Sequence, residues 1–310
     1  MIAAQQLTKR FGTVVATDNV TFSIDAGQVV GFIGSNGAGK TTTMRMLSGF
    51  LPASSGRAVV AGFDVFDDPM SVRHRVGYLP ETPPLYPELT IGEYLNFVAQ
   101  VRAVPSGQRM RRIGSVMEMV GLVGWERRIL GELSKGYRQR VGLAQAVIHD
   151  PEVLLLDEPT SGLDPRQVVG IRKFIRNLAE TRTVVLSTHI LSEVESLCSR
   201  VVMIDGGKIV ADDTMDGVRN GAGDGLRYRV ELSGSDPTAV PVEVGELGQV
   251  TRVVPHPEVE EYVVLDVYSS TDPRPAIAEL AQNQGWKLRT MMMVQPTLEE
   301  AFLAIAGGKR

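Results

Sequence analysis

The sequence predicts an α/β fold: a mixed, largely parallel sheet with an inserted helical subdomain, followed by a small α+β C-terminal domain. Three observations carry that prediction. Short apolar runs at 29–33 (VVGFI), 152–156 (EVLLL), 183–187 (TVVLS) and 200–204 (RVVMI) alternate with helical stretches near 165–180 and 190–198, the pattern of a buried parallel sheet. Between about 88 and 150 the apolar spacing turns helical, which reads as an insertion between strands. Beyond the glycine-rich segment 220–225 (NGAGDG), apolar residues alternate with polar ones at the period of half-buried strands. The domains expected are therefore 1–219, a linker at 220–225, and 226–310.

Taken in order, Val14, Val15 and Ala16 lie beside a turn signal, and Val20, Phe22 and Ile24 alternate with polar neighbours. The strand 29–33 leads into a glycine-rich loop and then a helix. Further strands are expected at 59–66 (VVAGFDVF) and 75–79 (RVGYL), before a proline-rich connector at 80–87 (PETPPLYP). In the insertion, Ile91, Tyr94, Leu95 and Val98 are spaced for one helix face, and so are Val116, Met119, Val120 and Val123. In the C-terminal domain strands are expected near 226–232, 249–254, 260–267 and 287–294, with helices near 237–245, 273–284 and 297–306. Thr297 and Glu300 form a capping box for the last helix. The order strand, helix, strand, strand, helix, strand is that of a split βαβ module. The run Met291, Met292, Met293 reads as gap-filling core.

Composition narrows the function classes. With 43% hydrophobic and 22% charged residues in 310, the chain is neither disordered nor collagenous. Its 32 Lys and Arg against 36 Asp and Glu leave a formal charge of -4, so no overall basic field points to nucleic acid. The basic cluster Arg109, Arg111 and Arg112 is too short to argue for such a site and reads as a solvated helix face. The single cysteine, Cys198, forms no intrachain disulfide and reads as packing. Lys9 and Arg10 precede any long apolar region, so the start does not read as a secretory signal. No apolar run approaches the roughly 18–20 residues of a membrane span, so a role at a membrane requires a partner that supplies the spans.

The chemistry concentrates after the strand at 29–33. Gly34, Ser35, Asn36, Gly37, Ala38, Gly39, Lys40, Thr41 and Thr42 fit G-x-x-x-x-G-K-[ST]. Glycines let consecutive N–H groups turn toward an anion, a helix N-terminus adds positive potential, and Lys40 offers a point charge to the outer phosphates. Thr41 is placed to ligate Mg²⁺. The phosphate-binding loop needs a carboxylate ending a neighbouring apolar strand, and Val153-Leu154-Leu155-Leu156-Asp157-Glu158 supplies it. Asp157 is the metal-side candidate, and Glu158 is placed to polarise a water attacking the γ-phosphate.

Three further motifs carry a family resemblance. Leu133-Ser134-Lys135-Gly136-Tyr137-Arg138-Gln139 resembles the signature sequence of ATP-binding cassette (ABC) ATPases. Ser161-Gly162-Leu163-Asp164 resembles that family's D-loop, and Ser187-Thr188-His189 its switch histidine. Order and spacing match over roughly residues 2–215, so the resemblance implies a P-loop NTPase cassette. It further implies that ATP, with Mg²⁺, is sandwiched between the P-loop of one cassette and the Ser134 and Gly136 of another, so that two copies or a cassette pair dimerise on ATP. Under the same resemblance His189 contacts the γ-phosphate, Asp164 belongs to the nucleotide interface, and Phe11, before Gly12, stacks on adenine.

Three positions depart from the family's common pattern. Glu81, in Gly77-Tyr78-Leu79-Pro80-Glu81, stands where a glutamine is usual, and its carboxylate can still ligate Mg²⁺. Lys135 and Tyr137 replace the usual Gly and Gln. The LSKGYRQR variant resembles a subset of exporter cassettes, including the multidrug, antibiotic-resistance and gliding-motility-associated types. The expectation is an ATP-hydrolysing subunit at the cytoplasmic face of the cell membrane, peripheral, held by a separate permease that docks near Pro83, Pro84, Leu85, Tyr86 and Pro87, with no nucleic acid bound. The rival expectation is a soluble cassette ATPase acting on ribosomes or DNA. It lacks the second cassette or long coiled coils usual in such proteins.

Overall fold

The computed structural model describes residues 1–221, 225–233, 238–256 and 262–307. The chain divides into two compact units, Met1–Met215 and Asp216–Arg310. The division falls a few residues before the glycine-rich segment, whose residues 222–224 lie outside the described residues.

The first unit opens with β1 (Ile2–Phe11) and β2 (Val14–Ile24), an antiparallel pair, followed by β3 (Val29–Ile33) and α1 (Lys40–Leu47). Then come β4 (Ser55–Val60), β5 (Phe63–Asp64), α2 (Pro69–Arg75) and β6 (Val76–Leu79). The insertion is α3 (Ile91–Val101), α4 (Ser106–Met119) and α5 (Lys135–Val147). After it alternate β7 (Val153–Asp157), α6 (Pro165–Ala179), β8 (Thr183–Thr188), α7 (Leu191–Leu197), β9 (Arg200–Asp205) and β10 (Lys208–Thr214). The helix α8 (Met215–Gly221) starts at the division and falls, but for its first residue, in the second unit. The second unit holds β11 (Leu226–Ser233), α9 (Ala239–Gly245), β12 (Val250–Pro255), β13 (Val263–Ser269), α10 (Arg274–Asn283), β14 (Lys287–Met293) and α11 (Leu298–Gly307).

Five strands of the main sheet run parallel in the order β9-β3-β8-β7-β6, and β10 adds antiparallel to β9. Every residue of β7 and β8 is buried, as a parallel sheet covered on both faces requires. Register pairs Ile33 with Thr188, Asp157 with Ser187, and Leu79 with Leu156. Four strands therefore end side by side, and in open α/β sheets ligands bind outside the carboxyl ends of the strands. A second sheet, β2-β1-β4-β5, is antiparallel throughout.

Several local expectations change. The run 59–66 is not one strand. Ala61 and Gly62 both take positive φ, +53° and +86°, and this two-residue turn reverses β4 into β5. The strand β1 does not show in the sequence pattern, because a bulge at Gln6 (φ +52°) slips its in-out alternation by one residue. The strand β10 and the helix α2 add to the expected elements; α2 is capped by Asp68, which accepts from Ser71 N at 3.1 Å. In α3 the four spaced residues are buried as expected; of the second set Val116 and Val120 are buried, but Met119, the last residue of α4, and Val123 are exposed, and Ile113 and Met117 face inward instead. Of the basic cluster Arg111 is exposed as expected, whereas Arg109 and Arg112 are half-buried, their Nε atoms donating to the carbonyls of Val104 and Ile148, each at 2.8 Å. Cys198 is buried, and burial, then the Glu193 charge, pushes its thiol up to about 12, so it packs rather than reacts.

The second unit is a four-stranded antiparallel sheet in the order β12-β13-β11-β14. Its core joins Tyr228, Val230, Leu232, Leu265 and Val267 to Val240, Val244 and Ile277 of α9 and α10. The capping box of α11 forms as expected, with Thr297 N donating to Glu300 Oε2 at 2.8 Å and Glu300 N to Thr297 Oγ1 at 3.2 Å. Of the three consecutive methionines only Met291 packs on this core; Met292 and Met293 are exposed on the edge strand β14.

Candidate functional site

Residues 34–42 wrap the end of β3 and open α1. Gly37 and Gly39 hold φ of +80° and +109°, a region costly for any residue with a Cβ. A Cβ on Gly39 would stand 2.6 Å from the Ala16 carbonyl, and one on Gly34 would stand 2.3 Å from that of Ile204. The chain here has room only for glycine. Gly39 caps α1 without a side-chain bond, and no acidic residue occupies the first turn. The first N–H groups of α1 thus keep their positive potential for an anion.

Lys40 is buried and turns back over this loop, its Nζ donating to the carbonyls of Gly34 at 2.8 Å and Ser35 at 3.2 Å. The same Nζ lies 3.7 Å from Glu158 Oε1. On the other oxygen, Glu158 Oε2 meets His189 Nδ1 at 2.9 Å. A carboxylate only accepts, so Nδ1 carries the proton and the opposite ring nitrogen is free to face a ligand. Glu158, with φ +49°, occupies the left-handed region unusual for a residue with a side chain. Two backbone bonds hold it there: Glu158 N donates to the Ser187 carbonyl at 3.0 Å, and Ser161 N donates to the Glu158 carbonyl at 3.2 Å.

Asp157 is fully buried at the end of β7. Ser187 Oγ donates to its Oδ1, while its Oδ2 is buried with no hydrogen-bond partner. Burial pushes the Asp157 carboxyl above its ordinary range, opposed by hydrogen bonds from Ser187 and Thr41 and assisted by the charges of Glu158 and Glu81. An orphan carboxylate oxygen near a threonine hydroxyl is a fit for a divalent cation. Among the described residues no group of three or more His, Cys, Asp or Glu could hold a metal by itself. A cation here would be completed by phosphate oxygens, as Mg²⁺ sites on nucleotides are.

Lys40, Glu158 and His189 line one open cleft of about 470 Å³ together with Asn36, Gly37, Gly39, Thr41, Thr42 and Glu81; the buried Asp157 and the expected Gly34, Ser35 and Ala38 are not among its lining residues. Ala16 and Ser161 also line it; Ser161 is the first residue of the D-loop motif, while Ala16 reads from the sequence only as part of a strand. Ser161 follows from the reversal at Glu158, which sequence spacing does not reveal.

The remaining expected residues lie apart from the cleft's lining. Phe11 is half exposed at the end of β1, with Lys9 Nζ 5.3 Å from its ring centroid. Ser134 is the N-cap residue of α5 and makes no side-chain capping bond, so its hydroxyl is left for another acceptor or donor. Gly136 is buried in the first turn of α5, where a Cβ would stand 2.1 Å from Gln167 Oε1. Asp164 caps α6, its Oδ1 accepting from Gln167 N at 3.0 Å. Tyr137 stacks on Trp125 with centroids 4.1 Å apart and an interplanar angle of 17°.

The family described as "ABC transporter" matches residues 17–161. The chain is 32% identical to the bacitracin transport ATP-binding protein BcrA of Bacillus licheniformis, over 99% of this chain and 98% of the relative. It is 33% identical to the daunorubicin resistance ATP-binding protein DrrA2 of Streptomyces coeruleorubidus, over 99% and 95% respectively. Among solved structures, an ATP-binding subunit of an ABC transporter overlays with a TM-score of 0.66 at 30% identity, over 71% of this chain and 92% of that one. A dimeric ATP-binding cassette bound to ADP and Pi overlays with a TM-score of 0.64 at 24% identity, over 69% and 98%, a likeness of fold alone.

Proposed function

The chain belongs to the ABC transporter family of ATP-binding proteins, and from that premise we propose that it binds and hydrolyses ATP as a dimer around two nucleotides, driving a separate membrane permease in export. The observation that carries the chemical part is the contact of Glu158 with both Lys40 and His189 at the mouth of the glycine loop. The loop amides and Lys40 bind the phosphates and withdraw charge as the terminal bridge breaks. Glu158 accepts a proton from the attacking water, which His189 holds in place through its free ring nitrogen. Thr41, Asp157 and Glu81 are the groups that would hold Mg²⁺, which when bound neutralises charge on the phosphate oxygens. Phe11 offers its exposed ring to adenine.

Dimerisation is supported by what lies away from the cleft. Ser134, with its uncommitted hydroxyl at the start of α5, and Gly136 line no part of the cleft of their own chain, so they serve the nucleotide of a second copy. Asp164, which caps α6 within the chain, stands at the same interface. Among the described residues no helix is long and apolar enough to cross a membrane, and in this reading the permease supplies the spans. Its docking site is the proline-rich segment after Glu81, whose exposed Tyr86 meets the exposed Phe97 of α3 with ring centroids 5.6 Å apart. Through that permease the protein sits at the cytoplasmic face of the cell membrane. The export direction is supported by the resistance and transport functions that name the relatives.

The test is Glu158→Gln. It should bind ATP with affinity near that of the unaltered chain, lose at least about a hundredfold in turnover, and accumulate as an ATP-dependent dimer on gel filtration. Full turnover in this variant overturns the reading of Glu158. Retention of the native protein in soluble ribosomal fractions, rather than on membranes, overturns the permease.

A further inference from the structure

A carboxylate in the first turn of α7 has no part in the chemistry just described, although it is one of the most deeply buried charges in the first unit. Glu193 is 1% exposed. Buried charge is costly unless it is paired and hydrogen-bonded. Its Oε1 lies 3.8 Å from Arg172 Nη2 of α6, and its Oε2 accepts from Thr188 Oγ1 at 3.4 Å. The Thr188 hydroxyl oxygen in turn accepts from Ile190 N at 3.0 Å, and Glu193 N donates to the Ile190 carbonyl at 3.1 Å. The residue enclosed by these bonds is His189.

We propose that Glu193 is a positioning residue for His189: anchored to Arg172, its carboxylate holds the Thr188–Ile190 turn so that the imidazole stays on Glu158. The proposal rests on the ATP-hydrolysis reading for its effect on turnover. Docking of α6 on α7 does not require the Arg172–Glu193 pair, because Arg176 Nη2 already joins the same helices through the Ser196 carbonyl at 3.0 Å. What the pair adds is a tie to the turn itself. The anchor also has a direction. Arg172 belongs to the helix that Asp164 caps and whose Gln167 lies against Gly136 of α5. A displacement at the start of α6 therefore reaches His189 through one buried carboxylate.

Glu193→Gln keeps the shape of the side chain and removes the charge that Arg172 anchors. In the full-length chain with ATP and Mg²⁺, kcat should fall at least about tenfold while KM stays within about twofold, since misplacing a reacting group by even 1 Å costs on the order of a hundredfold. In a His189→Ala background the same substitution should change kcat by less than about twofold, because residues acting as one unit are non-additive. A purely structural role predicts an equal loss in both backgrounds, and that result overturns the proposal, as does an unchanged kcat. A second readout needs no turnover: in nitrogen-15 NMR of the whole chain, the hydrogen-bonded Nδ1 proton of His189 should be seen in the unaltered protein and in Arg176→Met but exchange away in Glu193→Gln. Its persistence in Glu193→Gln overturns the positioning role. Loss of ATP hydrolysis in the unaltered chain overturns the function reading instead and leaves the NMR result to decide this one.

Discussion

The left-handed backbone at Glu158 makes a prediction whose sign opposes the ordinary rule. Exchanging alanine for glycine in a segment of normal φ destabilises a protein by about 0.4–1 kcal/mol, because glycine loses more freedom on folding. At φ +49° the order should reverse. A residue with a Cβ in the left-handed region costs roughly 1–2 kcal/mol that glycine does not. Glu158→Gly should therefore be more stable than Glu158→Ala by the difference, about 0.5–1 kcal/mol. Comparing these two variants with each other cancels the other consequences: both lose the carboxylate near Lys40 and His189, and both leave Lys40 its two carbonyl acceptors, Gly34 and Ser35. For a unit of the size of Met1–Met215, about 1 kcal/mol moves the melting midpoint by about 2–4 °C, so the glycine variant should melt about 1–4 °C higher. Differential scanning calorimetry reads this directly, and the transition that ATP raises identifies the unit concerned. Neither variant should hydrolyse ATP. If Glu158→Gly melts below Glu158→Ala, the residue is not held in the left-handed region and the account of a strained catalytic carboxylate is wrong.

Two other perturbations test separate parts of the molecule. Lys40→Ala should weaken ATP binding itself by at least about tenfold, through loss of the cation over the loop; isothermal titration showing normal affinity would contradict the phosphate cradle. In the second unit, burial pushes the Asp266 carboxyl up, but hydrogen bonds from Arg229, Arg227 and His256 outweigh it and bring it from 3.8 down to about 2. A depressed folded value means this stabilisation is whole above about pH 4 and is lost as pH falls toward 2. Because Arg229 and His256 are partly exposed and screened, it amounts to about 1–2 kcal/mol. Acid titration of stability should therefore be shallower by that amount in Asp266→Asn than in the unaltered chain. Equal acid slopes would show that Asp266 is not held by these cations.

What sequence reading recovered and what it missed separate by the range over which each feature is determined. The glycine loop is legible because its conformation depends on nine consecutive residues and on the strand and helix that bound them. The acid pair Asp157-Glu158 is legible because a buried strand must end where charge begins. The phase slip in β1 is not, since the extra residue at Gln6 shows only as a failure of alternation, and the reversal at Ala61-Gly62 hides in a run whose composition suits a strand. Glu193 is the clearest case. In LSEVESL it reads as a charge on an amphipathic helix, and only its pairing with Arg172, on a different helix, explains why it is buried.

The site itself lies between these extremes. Glu158 and His189 are thirty-one residues apart, yet their side chains meet at 2.9 Å. The link is the register of Asp157 with Ser187, which follows from two short apolar strands joined by one helix. A parallel pair joined in this way crosses over right-handed in nearly every protein, so strand ends that carry chemistry are brought to the same edge of the sheet whatever the helix between them contains. The sequence pattern thus predicts which residues share the edge. It does not predict which will touch, because Asp157 turns its oxygen to Ser187, and Glu158 reaches both Lys40 and His189 only through a backbone reversal written in no side-chain pattern. The contact of Glu158 with His189 is therefore a tertiary property resting on a legible frame, and the same is true of the Thr188 to Glu193 bond behind the histidine.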